Sequence, residues 1–154
     1  MDLILWRHAE AVDDVDGGDD LQRALTARGE KQAMRMAAWL DRHLPEGARI
    51  LASPALRCEQ TAMALGRKFK TRTELAPDGT VAGVLEAAKW PDAKEHVVIV
   101  GHQPVLGETV AQLLQLKQPA CPIRKGAVWW FRTRERDGHQ QTLLIAVQSP
   151  DTVG

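Results

Sequence analysis

The sequence predicts an α/β protein, a three-layer α/β/α sandwich on a mixed, mostly parallel central sheet. Three observations predict it. Short apolar or β-branched runs at 3–6, 49–52 and 96–100 alternate with segments of helical periodicity. The runs at 3–6 and 97–100 are apolar throughout, as strands covered on both faces are. Two strand-like segments then follow each other near the C-terminus, which ends the alternation in a hairpin.

Each element has its own justification. The run Leu3-Ile4-Leu5-Trp6 reads as a buried strand that stops at Arg7-His8. A helix is expected from Thr26, its N-cap, to about Leu44, because Ala33, Ala37, Leu40 and Leu44 recur at helical spacing. A capping box would place Glu or Gln at position 29, where Gly29 stands. After the strand at 49–52, Ser53 as cap and Pro54 at the first helical position start a second helix with Cys58, Ala62, Leu65 and Phe69 as its buried stripe. A third helix is expected over 81–89. The run HVVIV at 96–100 is a further buried strand, and Pro104 opens a helix whose inward face is Leu106, Val110, Leu113 and Leu114. Segments 127–133 and 141–148 read as two strands joined through Asp137-Gly138, in a loop longer than the tightest hairpin turn. Trp129 and Trp130, adjacent on a strand, are expected to send one ring to the core and one towards the surface.

At 154 residues the chain is long enough to bury a core of its own, and a single domain over 1–154 is expected. Twenty basic and twenty acidic residues cancel, so no global field favours nucleic acid or anionic lipid, and any attraction for phosphate is local. Cys58 and Cys121 form no CxxC pair and fit reduced thiols in a cytoplasmic protein. No stretch approaches about twenty apolar residues, which argues against a membrane partner. No Cys/His cluster suggests a metal, and no glycine-rich fingerprint suggests a nucleotide, so no cofactor is expected. The acidic segment 13–20 fails the calcium-loop register, with Gly18 and Asp19 where a ligand and a glycine belong, and reads as a mobile acidic loop near the site.

The chemistry sits where strands end. The first delivers Arg7 and His8, the second Ser53 to Arg57, the third Gly101-His102-Gln103. In open α/β sheets such ends converge, and helix N-termini there favour an anion. Two guanidinium forks and two imidazoles describe a pocket for a phosphoryl group. His43, His96 and His139 lack that placement and read as structural.

These motifs resemble the histidine phosphatase superfamily, which has the phosphoglycerate mutase-like fold. The carriers are Arg7-His8, the Ser53-Pro54-x-x-Arg57-x-x-Gln60-Thr61 stretch and Gly101-His102, with local wording closest to SixA-type phosphohistidine phosphatases. Arg23-Ala24-Leu25-Thr26-x-x-Gly29 and Gly101-His102-Gln103-Pro104 add to the likeness. The resemblance implies that His8 is the transiently phosphorylated nucleophile and that Arg7, Arg57 and His102 hold the phosphoryl oxygens. It also implies that Arg23 reaches the same pocket, and Gln103 is counted with it as substrate-binding. The family has glycine after the Arg-His pair, whereas Ala9 stands here, a change that removes no chemistry.

The proton donor is the open point. Glu10, Asp13, Glu74 and Asp78 are candidates, with Glu10 the nearest in sequence to His8. A phosphohistidine substrate largely removes the need for one, because a P–N bond is exchanged for another. Few residues separate Arg57 from His102, leaving little chain for a lid, and an open mouth suits a side chain on a folded partner. The expectation is a monomeric phosphatase acting on a phosphohistidine-bearing protein, such as a histidine-containing phosphotransfer domain, and releasing inorganic phosphate. The alternatives are a small-molecule phosphomonoesterase or mutase of the same superfamily, and a catalytically silent phosphohistidine-binding module.

Overall fold

The computed structural model describes residues 1–13 and 18–153; the part of the acidic segment at 14–17 lies outside the described residues. Six strands form one sheet: β1 (Asp2–Arg7), β2 (Arg49–Ala52), β3 (Lys70–Thr71), β4 (Val97–Gly101), β5 (Val128–Arg136) and β6 (His139–Gln148). Four helices connect them: α1 (Ala27–His43), α2 (Leu56–Met63), α3 (Val81–Ala88) and α4 (Val105–Leu113). The sheet order is β3-β2-β4-β1-β5-β6, with parallel pairing up to β1 and antiparallel pairing from β1 to β6. The sheet is therefore mixed and mostly parallel, and no helix is long and apolar enough to cross a membrane among the described residues.

Alternation along the buried strands builds two separate cores. Ile4, Trp6, Val98 and Val100 pack against Met36 and Leu40 of α1 and Cys58 and Ala62 of α2. Leu3, Leu5, Val97 and Ile99 face the other way, onto Val84 and Ala87 of α3 and Leu106 and Val110 of α4. Each face of the sheet thus has its helical layer. Trp130 is buried on the α1 side, and Trp129 is half-buried on the other, packed against the second core rather than left on the surface.

Local chemistry explains the element ends, including three departures from the sequence reading. Thr26 caps α1 by accepting the Gly29 N–H at 2.9 Å. A Cβ at position 29 would stand 1.9 Å from the Glu10 carbonyl oxygen, so glycine replaces the capping-box acid because the helix start lies directly on the chain after β1. Glu10 supplies the missing carboxylate from outside the helix, accepting the Thr26 hydroxyl at 3.2 Å.

The second helix begins at Leu56 with Ala55 as its cap, not at Ser53-Pro54. Ser53 instead accepts the Ala55 N–H at 3.1 Å and turns its hydroxyl to His102. That helix also stops at Met63, ahead of Gly66 with φ +72°, so Leu65 and Phe69 pack from the segment beyond it. The terminal hairpin is tighter than the sequence suggests: β5 and β6 extend to a two-residue turn, Asp137-Gly138, in which both φ angles are positive (53° and 77°).

Candidate active site

Strand register brings the chemistry to one rim. Trp6 lies beside Val100, and Val100 beside Ala52, so the residues that follow each strand emerge together. The backbone there is stapled: His8 N–H donates to Gly101 O at 3.1 Å, and Ser53 N–H to Val100 O at 3.0 Å. Gly126 N–H donates to His8 O at 3.0 Å, fixing the segment before β5 against the end of β1. Ala9 N–H donates to the Thr61 hydroxyl at 3.1 Å, which ties this turn to α2.

The result is a cavity of about 190 Å³ lined by Arg7, His8, Arg23, Arg57, His102 and Gln103, with Ala11, Asp13, Pro77 and Lys125 completing the wall. The rings of His8 and His102 meet edge to face at 5.4 Å between centroids. His8 Nδ1 lies 2.8 Å from the Ala9 carbonyl oxygen. A carbonyl can only accept, so Nδ1 carries the proton in the neutral ring and Nε2 keeps its lone pair. His102 Nε2 lies 2.7 Å from the Ser53 hydroxyl and 3.5 Å from the Cys58 sulfur, which hold the second ring in place.

Both rings are neutral at ordinary pH. Burial, then the Arg57, Arg7 and Arg23 charges, push His8 down to about 4 against the opposing pull of the Ala9 carbonyl. Burial and Arg57 push His102 down to about 3. Burial pushes the Cys58 thiol up to about 12, so it stays protonated beside them.

The guanidinium groups are held in place by the protein. Arg7 Nη1 donates to Ile123 O at 2.7 Å. Arg57, only 3% exposed, donates through Nη1 to Asp20 O at 2.8 Å and through Nη2 to the Asp20 carboxylate at 3.1 Å. The same carboxylate accepts Arg23 Nε at 2.9 Å. Burial works to raise the Asp20 carboxyl, but the hydrogen bonds from Arg23 and Arg57 outweigh it and hold Asp20 below the usual carboxylate range. Among the described residues the Nε atoms of Arg7 and Arg57, like Nη1 of Arg49, are buried without a hydrogen-bond partner. Such orphaned cationic donors are costly to bury, and Arg7 and Arg57 line the cavity.

The remaining sequence candidates lie as follows. Both ends of the Gln103 amide are engaged, Oε1 by Gly107 N–H at 2.7 Å and Nε2 by Cys121 O at 3.1 Å, which anchors the start of α4. The Glu10 carboxylate sits at the start of α1 with Thr26 and, at 3.8 Å, Arg28, outside the cavity wall. Glu74 and Asp78 are likewise outside the wall, whereas Asp13 is on it. Sequence reasoning missed Asp20 and Lys125. Asp20 carried a signal, the three-residue spacing to Arg23 that brings acid to base across one turn. Lys125 carried none, since its place depends on β5 pairing beside β1.

Comparison with known proteins shows the family. The model of the histidine phosphatase superfamily (branch 1) matches residues 3–78. A phosphohistidine phosphatase SixA homolog from Haemophilus influenzae is 32% identical over 97% of both chains. Phosphohistidine phosphatase SixA of Escherichia coli is 32% identical over 77% of this chain and 78% of its own. The solved structure of the protein histidine phosphatase SixA complexed with tungstate superimposes with a TM-score of 0.77, at 26% identity and full coverage of both chains. The chain belongs to the histidine phosphatase superfamily and is a phosphatase of phosphoglycerate mutase-like fold. Within that superfamily, the Haemophilus influenzae and Escherichia coli relatives and the tungstate complex are of the SixA type.

Proposed function

We propose that the protein is a phosphohistidine phosphatase that removes the phosphoryl group from a histidine on a partner protein, with His8 as the transiently phosphorylated nucleophile. The reading is carried by one observation: His8, its Nδ1 turned to the Ala9 carbonyl, stands in one cavity with Arg7, Arg23, Arg57 and His102. In-line attack by Nε2 on phosphorus breaks the substrate's P–N bond, and the substrate ring, protonated on its other nitrogen, takes the bonding pair and leaves as neutral imidazole. Arg7, Arg57 and His102 stabilise the charge on the equatorial oxygens, where positioning and fixed charge do most of the work. Water then attacks the phosphorylated His8, releasing inorganic phosphate and restoring the ring.

The surrounding carboxylates support an imidazole leaving group over an alkoxide. Asp20 is kept ionised beneath two arginines and has no proton to give near neutral pH. Glu10 is committed to the start of α1. The observation that favours the phosphomonoesterase reading is Asp13, a carboxylate on the cavity wall. The two readings separate on kcat/KM measured with a phosphohistidine-bearing phosphotransfer domain against phosphoserine and glycerate phosphates. Phosphatase action on the protein substrate should dominate by about a hundredfold or more, since alkyl esters demand the missing acid. A preference for the alkyl esters overturns the proposal.

A further inference from the structure

We propose that Lys125 is a docking contact for an acidic group on the partner protein, next to its phosphohistidine and separate from the phosphoryl group itself. The inference rests on the function proposed above and specifies which partner surfaces the site accepts.

The cavity has two tiers of cations. Arg57 is almost fully buried and Arg7 half-buried, and both line the cavity beside His8 as its deep tier. Lys125 lines the same cavity but is exposed, so it stands at the mouth. Its neighbour Gly126 is fixed on both sides, donating to His8 O at 3.0 Å and accepting the Trp6 indole N–H at 3.1 Å. The lysine is therefore carried at a set position beside the nucleophile while its own chain stays adaptable.

Among the described residues Lys125 has no ion pair, whereas the adjacent Arg124 is paired with Asp151 at 2.9 Å. A phosphoryl group lodged at His8 brings the substrate backbone across the mouth, where the unpaired ammonium meets whatever flanks the histidine. A carboxylate there is attracted. Asp13 lies on the same wall from a different segment and repels a carboxylate on its side. The matching partner therefore presents its acidic group towards Lys125 and away from Asp13.

The test compares the wild type with Lys125→Glu and Lys125→Arg on two substrates, a phosphohistidine-bearing phosphotransfer domain and free phosphoramidate, each at low and moderate salt. Charge reversal should lower the ratio of kcat/KM for the protein substrate over phosphoramidate by about tenfold, through KM. Lys125→Arg should restore the ratio to within about twofold, and added salt should narrow the gap between wild type and Lys125→Glu. Equal losses on both substrates would make Lys125 another phosphoryl ligand and overturn the inference, as would an unchanged ratio. Failure of the wild type on both P–N substrates, with activity on alkyl esters, would instead overturn the function beneath it.

Discussion

Acidification offers a sharp test of how this site is built. A solvent-exposed histidine titrates near 6.5, whereas burial and three arginines push His8 down to about 4. At pH 5 such a ring is about 90% neutral, against about 3% for an ordinary histidine, a roughly thirtyfold difference in available nucleophile. Ring titration by NMR in the resting protein reads the quantity directly, and the acid limb of kcat/KM reports the same group in the free enzyme. The midpoint should fall near pH 4 in both. The same shift acts on stability. Between about pH 6.5 and 4 the unfolded chain binds a proton at this residue that the native state refuses, so its stabilising effect is complete above 6.5 and is lost as pH falls through that window. The loss amounts to about 3 kcal/mol from His8, with His102 adding in the same direction. Thermal unfolding at each pH separates this effect from the rate. A His8 ring that titrates near 6.5, with activity halved there, would refute the argument that burial and the arginines keep the nucleophile free.

Three substitutions probe other links. Ser53→Ala removes the 2.7 Å partner of the His102 ring and should lower kcat about tenfold, with the native circular dichroism retained. Arg57→Lys keeps the charge but loses the planar fork that spans the Asp20 carbonyl and carboxylate, so kcat should fall about a hundredfold in steady-state assays. Gly29→Ala forces a methyl group into the Glu10 carbonyl 1.9 Å away, and the clash should outweigh the helix-propensity gain. A net loss of about 2 kcal/mol, or about 5 °C in Tm, is expected in a melting experiment.

Much of this fold was legible because buried parallel strands carry a continuous apolar pattern. The run from Leu3 to Trp6 and the HVVIV run both became central strands, and Arg7, His8, Arg57 and His102 stand at one rim because those strands lie side by side. What the sequence concealed depends on tertiary partners. Ser53 looks like a helix cap to any local rule, yet its hydroxyl is claimed by a ring 49 residues away. Gly29 looks like a weak helix start until the Glu10 backbone is seen lying against it. The tight Asp137-Gly138 turn was obscured because polar residues at 134–136 and 139–141 hide the ends of strands exposed on both faces. Asp20 and Lys125 contribute only through neighbours that the fold brings to them.

In the proposed reaction His8 attacks through Nε2, because Nδ1 is committed to the Ala9 carbonyl. Phosphorus NMR of the protein trapped during turnover of phosphoramidate tests this most directly, since phosphate on the two ring nitrogens resonates differently. An acid-labile signal from Nε2-phosphohistidine, absent in His8→Ala, is expected. Phosphate on Nδ1, on another residue, or turnover that persists in His8→Ala would contradict it.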